Sequence, residues 1–205
     1  KYSGTYYLCE QVRVDKDRVA ITELPKNADG STLNNVTPDK VGYLVEFDFH
    51  ADDTKWQWRT SFHHTNYGGG SISLVKYPDD EDLTDAQFNY IKGLIQDLES
   101  QLMTIKENPS ATEAQINDQF EQIINKNIDP MSFIDYWLVY EVCINHEILN
   151  PGSVYLHKDV GGKYKMCVWD FNSAFDYYEF STIENQTFLL QKSIWYEYLF
   201  KDDAF

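Results

Sequence analysis

The sequence predicts an α+β fold, with antiparallel strands in the N-terminal part and a helical C-terminal part that carries a hairpin. Two observations lead there. Apolar residues alternate with period two in several stretches before residue 80, and from Thr84 they recur every three or four residues. The order is strands, helices, a hairpin and a helix rather than strand and helix in turn, which argues against a parallel βαβ sheet. A single domain is expected over 1–205, mainly β over 1–80 and mainly helical over 81–205, with the hairpin at 153–171. Its strand-like opening and helix-like close predict a piece truncated at both ends.

Each element has its own signal. Residues 5–14, "TYYLCEQVRV", are rich in β-branched and aromatic side chains, which suit a pleated surface. "RVAITEL" (18–24) follows the polar "DKD", as the second arm of a hairpin would. Pro25, Asn27, Asp29, Gly30, Asn34, Asn35 and Pro38 make 25–40 a loop. Strands are expected over 41–49, over 55–62 and from Ser71 to Pro78. At Thr84 the period changes. "TDAQ" is a capping box, and Phe88, Ile91, Leu94, Ile95, Leu98, Leu102 and Ile105 form one helical face. "NPSAT" ends that helix, and a second covers 112–126 with Ile116, Phe120, Ile123 and Ile124 on one side.

Asp129-Pro130 opens a third helix, since Asp suits an N-cap and Pro the first helical position. It is expected to run to about residue 148, and its apolar residues cover most of its circumference, which predicts a central, buried helix. "NPG" (150–152) terminates it. "SVYLHKD" and "KYKMCVWDF" follow as two strands joined at "VGG", and a last helix begins near Phe188.

Composition excludes some functions. The chain has 205 residues, 42% hydrophobic and 16% aromatic, enough for a sizeable core. It has no apolar run of about 18 residues to span a membrane and no signal-peptide pattern. A net charge of −16 leaves no basic footprint for nucleic acid. Cys9, Cys143 and Cys167 match no zinc spacing and sit among apolar residues, so they read as buried free thiols. There is no G-x-S-x-G elbow, Walker A loop or G-x-G-x-x-G. The five Trp read as packing rather than a sugar platform.

Chemistry concentrates at the ends of two apolar elements. The third helix closes on Asn145, His146 and Glu147, and in "KMCVWDFNSAF" (165–175) an apolar run stops at Asp170 with Asn172 two residues on. The hairpin is short, so both ends can lie on one side of the domain. Carboxylate and amide oxygens gathered there suit Mg²⁺, a hard cation that also takes phosphate and water. In a strand, positions 170 and 172 face the same way, so Asp170 and Asn172 could share a metal; alternatively Asp170 caps a turn. Glu147 could be a general base, a metal ligand or a solvated acid, while His146 reads as a surface or packing residue.

"YYLCEQVRVDKDRVAI", "VGYLVEFDF", "DPMSFIDYWLVYEVCINHE", "SVYLHKD", "VWDFN" and "WYEYLFKDDAF" occur in this order. Together they resemble the spore-coat-protein-H (CotH) kinase family, especially its surface-associated members in Bacteroidetes. The resemblance implies an atypical protein-kinase-like fold that binds Mg-ATP (or Mn-ATP) and transfers phosphate to protein hydroxyls. It implies an extracellular or cell-surface protein, with ATP and an unidentified protein substrate as partners. By the resemblance, Glu147 and Asp170 are the catalytic residues, and Asp170, Asn172 and Asn150 hold the metal. Lys158 and Arg18 are this chain's candidates for the phosphates. Two positions depart from the family's pattern. Glu147 stands where the best-known members have Asp, and Asn172 replaces the second acid of "WD-x-D". These departures raise the alternative of a pseudokinase: a non-catalytic surface binding or scaffold module for glycan or protein.

Overall fold

The computed structural model describes residues 4, 10–33, 35–63, 70–106, 110–145, 148, 151–175, 195–200 and 205. Its elements are β1 (Tyr43–Asp48), β2 (Gln57–His63), β3 (Gly70–Tyr77), α1 (Asp85–Lys106), α2 (Glu113–Asn127), α3 (Pro130–Val142), β4 (Val154–Lys158), β5 (Tyr164–Cys167) and α4 (Tyr196–Leu199). The expected α+β class holds. The strands form one sheet in the order β2-β3-β1-β4-β5, and every neighbouring pair is antiparallel. The hairpin β4–β5 therefore extends the N-terminal sheet, with Glu46 opposite Tyr155 and Val45 opposite Leu156.

Alternation along β1 explains the layers. Tyr43, Val45 and Phe47 face the helices and join Leu156, Ile91, Ile95, Phe120 and Phe133 in one core. Burying each such side chain contributes roughly 1.5–3 kcal/mol. Leu44 points to the other face, where Val19 and Ile21 cover it. The predicted capping box forms, with Thr84 and Gln87 exchanging bonds at 3.0 and 3.3 Å, and the structure adds a second, Thr112 with Gln115 at 2.9 and 3.3 Å. The one-turn α4 is fixed by Trp195 Nε1 donating to the buried Glu99 at 3.3 Å and by Tyr196 Oη donating to the Phe133 carbonyl at 2.6 Å.

Three expectations are corrected. The described part of the predicted N-terminal hairpin, 10–24, holds no strand, only a bridge between Val14 and Val19. Its β-branched residues serve a different purpose: they pack as an irregular segment across the back of the sheet. The third helix is shorter than expected and is buried on one side only. Phe133, Tyr136, Trp137 and Tyr140 form its buried stripe, whereas Met131 and Val142 are 63% and 77% exposed. The second arm of the hairpin stops at Cys167, so residues 168–171 are not strand. The helix expected from Phe188 begins outside the described residues.

Candidate functional site

The end of α3 builds the site. Asp129 caps the helix, accepting from the Ser132 amide at 3.2 Å, and the Ser132 hydroxyl accepts from the Met166 amide at 2.9 Å. These bonds lay α3 alongside β5 and its exit. At the other end, the Asn145 amide donates to the Tyr140 carbonyl at 2.9 Å and the Ile144 amide to Glu141 at 3.1 Å. This is a Schellman stop with Ile144 at φ 50°, where glycine is usual. The helix thus ends at Val142, six residues before the expected point, because its carbonyls are already satisfied there.

The hairpin exit docks onto this tip. The Tyr140 hydroxyl donates to the Trp169 carbonyl and accepts from the Trp169 amide at 3.2 Å. Asn145 is fully buried, and its Nδ2 donates to the Asp170 carbonyl at 2.7 Å. The Phe175 amide donates to the Cys143 carbonyl at 2.7 Å. Tyr140 supplies what a strand neighbour would, so β5 can end without stranding Trp169. Below, the Tyr140 ring lies 4.2 Å from Tyr136 and 4.9 Å from Phe171, centroid to centroid.

Asp170 sits half-buried in this turn at φ 53°. Its Oδ1 accepts from the Asn172 amide at 3.2 Å, and the exposed Asn172 accepts from the Ser173 hydroxyl at 3.0 Å. Asp170 and Asn172 therefore meet through a turn rather than by strand alternation. Glu147 and Asn150, with His146, lie outside the described residues. Among the described residues, no group of three or more His, Cys, Asp or Glu is arranged to hold a metal.

The two predicted cations stand elsewhere. Lys158 is at the opposite end of β4, four residues from Val154, or about 13 Å along the strand. Its ammonium donates to the Gly162 carbonyl and lies 5.4 Å from the Tyr164 ring centre, and burial pulls its pKa down. Arg18 pairs with Glu10 at 2.9 Å and lines a small hollow beside Val168 and Trp169. The structure brings Arg18 near the hairpin exit and leaves Lys158 away from it.

A larger cleft of about 520 Å³ opens on the back of the sheet, with Arg13, Lys26, Lys76, Tyr155 and Trp169 in its wall. Lys76 on β3 reaches Glu46 at 3.3 Å and Asp52 at 3.2 Å. Burial pushes the Glu46 carboxyl up against the opposing pull of the Tyr155 hydroxyl and Lys76. For Lys76, burial lowers the ammonium but is outweighed by Glu46 and Asp52, so its pKa rises. The two partners agree on an ion pair and differ on its strength; the depth of Glu46 makes its desolvation the dominant effect. Residue-by-residue reading missed Lys76, Glu46 and Tyr140. The available signals were a cation and an acid inside apolar strands, "SLVKY" and "YLVEFD". Asn145 was visible only as part of a polar helix end.

Fold and site define an α+β protein with a carboxylate-bearing turn seated on a helix tip. A family model described as CotH kinase protein matches residues 1–205. The chain belongs to the CotH kinase family, and that membership implies a kinase-like function. None of the curated proteins and none of the solved structures matches the chain. No helix among the described residues is long and apolar enough to cross a membrane.

Proposed function

We propose that this chain binds Mg-ATP, or Mn-ATP, at the Asp170 turn and transfers its γ-phosphoryl group to a protein hydroxyl. The observation that carries the reading is the docking of the hairpin exit onto the tip of α3, with Trp169 lining the 520 Å³ cleft and Asp170 beside it. The donor set fits the cation. Mg²⁺ commonly takes one or two protein oxygens and fills its remaining positions with phosphate and water. Asp170 offers a carboxylate whose Oδ2 has no partner among the described residues, and Asn172 an exposed amide. A bound divalent ion would neutralise charge on the β- and γ-phosphates.

The chain's own residues do the rest. Lys76 and Arg13, which line the cleft, are the cations this reading assigns to the phosphates, in preference to Lys158. The acceptor oxygen attacks the γ-phosphorus, the bond to the bridging oxygen breaks, ADP leaves and Glu147 takes the hydroxyl proton. By the family resemblance, Asn150 would contribute a further oxygen to the metal. The cell-surface setting is proposed on the family resemblance alone.

Asn172 favours a second reading, nucleotide binding without transfer. An amide there brings no charge, and its oxygen already accepts from Ser173. One experiment orders these outcomes. Nucleotide at about 100 times its Kd adds about 2.7 kcal/mol of stability, or about 5–10 °C in Tm for a chain of this size. We expect that shift with Mg-ATP and its loss in Asp170→Asn, which keeps the turn's acceptor and removes the charge. A melting curve unmoved by Mg-ATP rejects both readings, and a shift without phosphate incorporation selects the second.

A further inference from the structure

The Asp170 backbone is in the left-handed region, uncommon for L-residues though tolerated by Asp, and the buried Asn145 side chain reaches it. Asp170 has φ 53°, and its carbonyl accepts Asn145 Nδ2 at 2.7 Å. Asn145 is 0% exposed, an environment in which an amide is retained only with partners. It works at both ends. Its backbone amide closes α3 on the Tyr140 carbonyl, while its side chain grips Asp170. Two of the left-handed residues, Ile144 and Asp170, thus flank one hydrogen bond.

We propose that Asn145 is a positioning residue for the cation site. Its Nδ2–H group fixes the left-handed backbone of Asp170, which in turn sets where the carboxylate points. Within the turn "DFN", Asp170 Oδ1 accepts the Asn172 amide at 3.2 Å, a local bond that suits the left-handed region, and Asn145 adds a hold on the carbonyl from outside. Without the Asn145 donor, the Asp170 carbonyl is released and the carboxylate loses part of the direction the cation needs. The inference rests on the reading of Asp170 as the metal carboxylate.

The test measures Mn²⁺ binding by electron paramagnetic resonance in the presence of a non-hydrolysable ATP analogue, on protein shown by circular dichroism to be folded. Outer residues that orient a metal ligand typically change metal affinity 10- to 100-fold. Asn145→Ala is expected to weaken Mn²⁺ by about that factor. Asn145→Asp, the same in shape but without the donor, carries the test if the alanine variant fails to fold. Phe120→Leu, a destabilising change in the core under α2, away from the cleft and the turn, should leave the affinity unaltered. If Asp170→Asn abolishes binding while both Asn145 variants stay within about threefold of wild type, the positioning role is wrong and the metal reading stands. If the wild type binds no Mn²⁺, or Asp170→Asn binds as wild type does, the metal reading fails and the positioning role falls with it.

Discussion

Replacing Lys76 by Met isolates the buried acid on the back of the sheet. Glu46 is 9% exposed at its side chain and Lys76 36%. Breaking a fully buried pair costs about 3–5 kcal/mol, whereas exposed pairs contribute about 0–1 kcal/mol. With one partner buried and the other about one-third exposed, solvent screening brings the expected loss to about 2 kcal/mol at pH 7.5. For this chain length that is about 4–8 °C in Tm. The pH dependence is the sharper signature. The Glu46 carboxyl has its pKa raised by burial, so the folded state favours its neutral form. Stability from that preference is complete below the unfolded value of 4.5 and is lost as pH rises through the folded value.

Removing Lys76 takes away an attraction that lowers the Glu46 pKa, so the folded value climbs further. The penalty of Lys76→Met should therefore be full at pH 7.5 and shrink as the pH falls through the raised Glu46 pKa, where the carboxyl becomes neutral. Adding Glu46→Gln to Lys76→Met should restore most of the loss at pH 7.5. Urea denaturation followed by circular dichroism at pH 7.5 and at acid pH measures all of this. A penalty equal at both pH values, or one that Glu46→Gln leaves untouched, would show that Lys76 acts through packing rather than charge.

Two further outcomes follow from single contacts. Tyr140→Phe removes both bonds to the Trp169 backbone and should cost about 1–3 kcal/mol, with faster hydrogen exchange at the Trp169 amide; a loss under about 0.5 kcal/mol contradicts the clamp. Gly42→Ala places a Cβ 2.6 Å from the Ile21 Cβ and should cost about 1–3 kcal/mol in urea denaturation, relieved by adding Ile21→Ala; an unrelieved loss points to strain in β1 instead.

The legible parts of the sequence were those whose signals are local. The capping box at Thr84 and the Asp129-Pro130 start placed two helix N-termini, because cap and first turn are neighbours in the chain; the box at Thr112 is as local but was not read. The three N-terminal strands of the sheet were legible by alternation. The illegible parts depended on distant partners. "YLCEQVRV" looks like strand because β-branched side chains suit any apolar surface, and here the described residues lie across a sheet face. The stop of α3 at Ile144 could not be read, because an isoleucine in the left-handed region carries no sequence signal. Lys76 and Glu46 stand 30 residues apart and meet only through the β1–β3 pairing, diagonal across the ladder.

Sequence alone set two roles for Asp170 against each other: turn cap or metal ligand. The geometry shows the cap, and the proposed ligand role is compatible with it. The cap uses Oδ1, which accepts the Asn172 amide at 3.2 Å. A cation that draws most of its shell from phosphate and water needs as little as one protein oxygen, and Oδ2 remains for it. The cap also limits rotation of the carboxylate about its own bond, so the free oxygen is aimed rather than mobile. The same logic applies to the strained backbone. Ile144, Asp170 and Phe175 all have positive φ, each at an energetic cost, and the bonds from Tyr140, Cys143 and Asn145 join the helix tip to the turn that contains two of them. A turn needed only to leave the sheet could have used glycine without strain. A carboxylate that must keep one direction is better served by a residue with a side chain, held from outside by a rigid helix end.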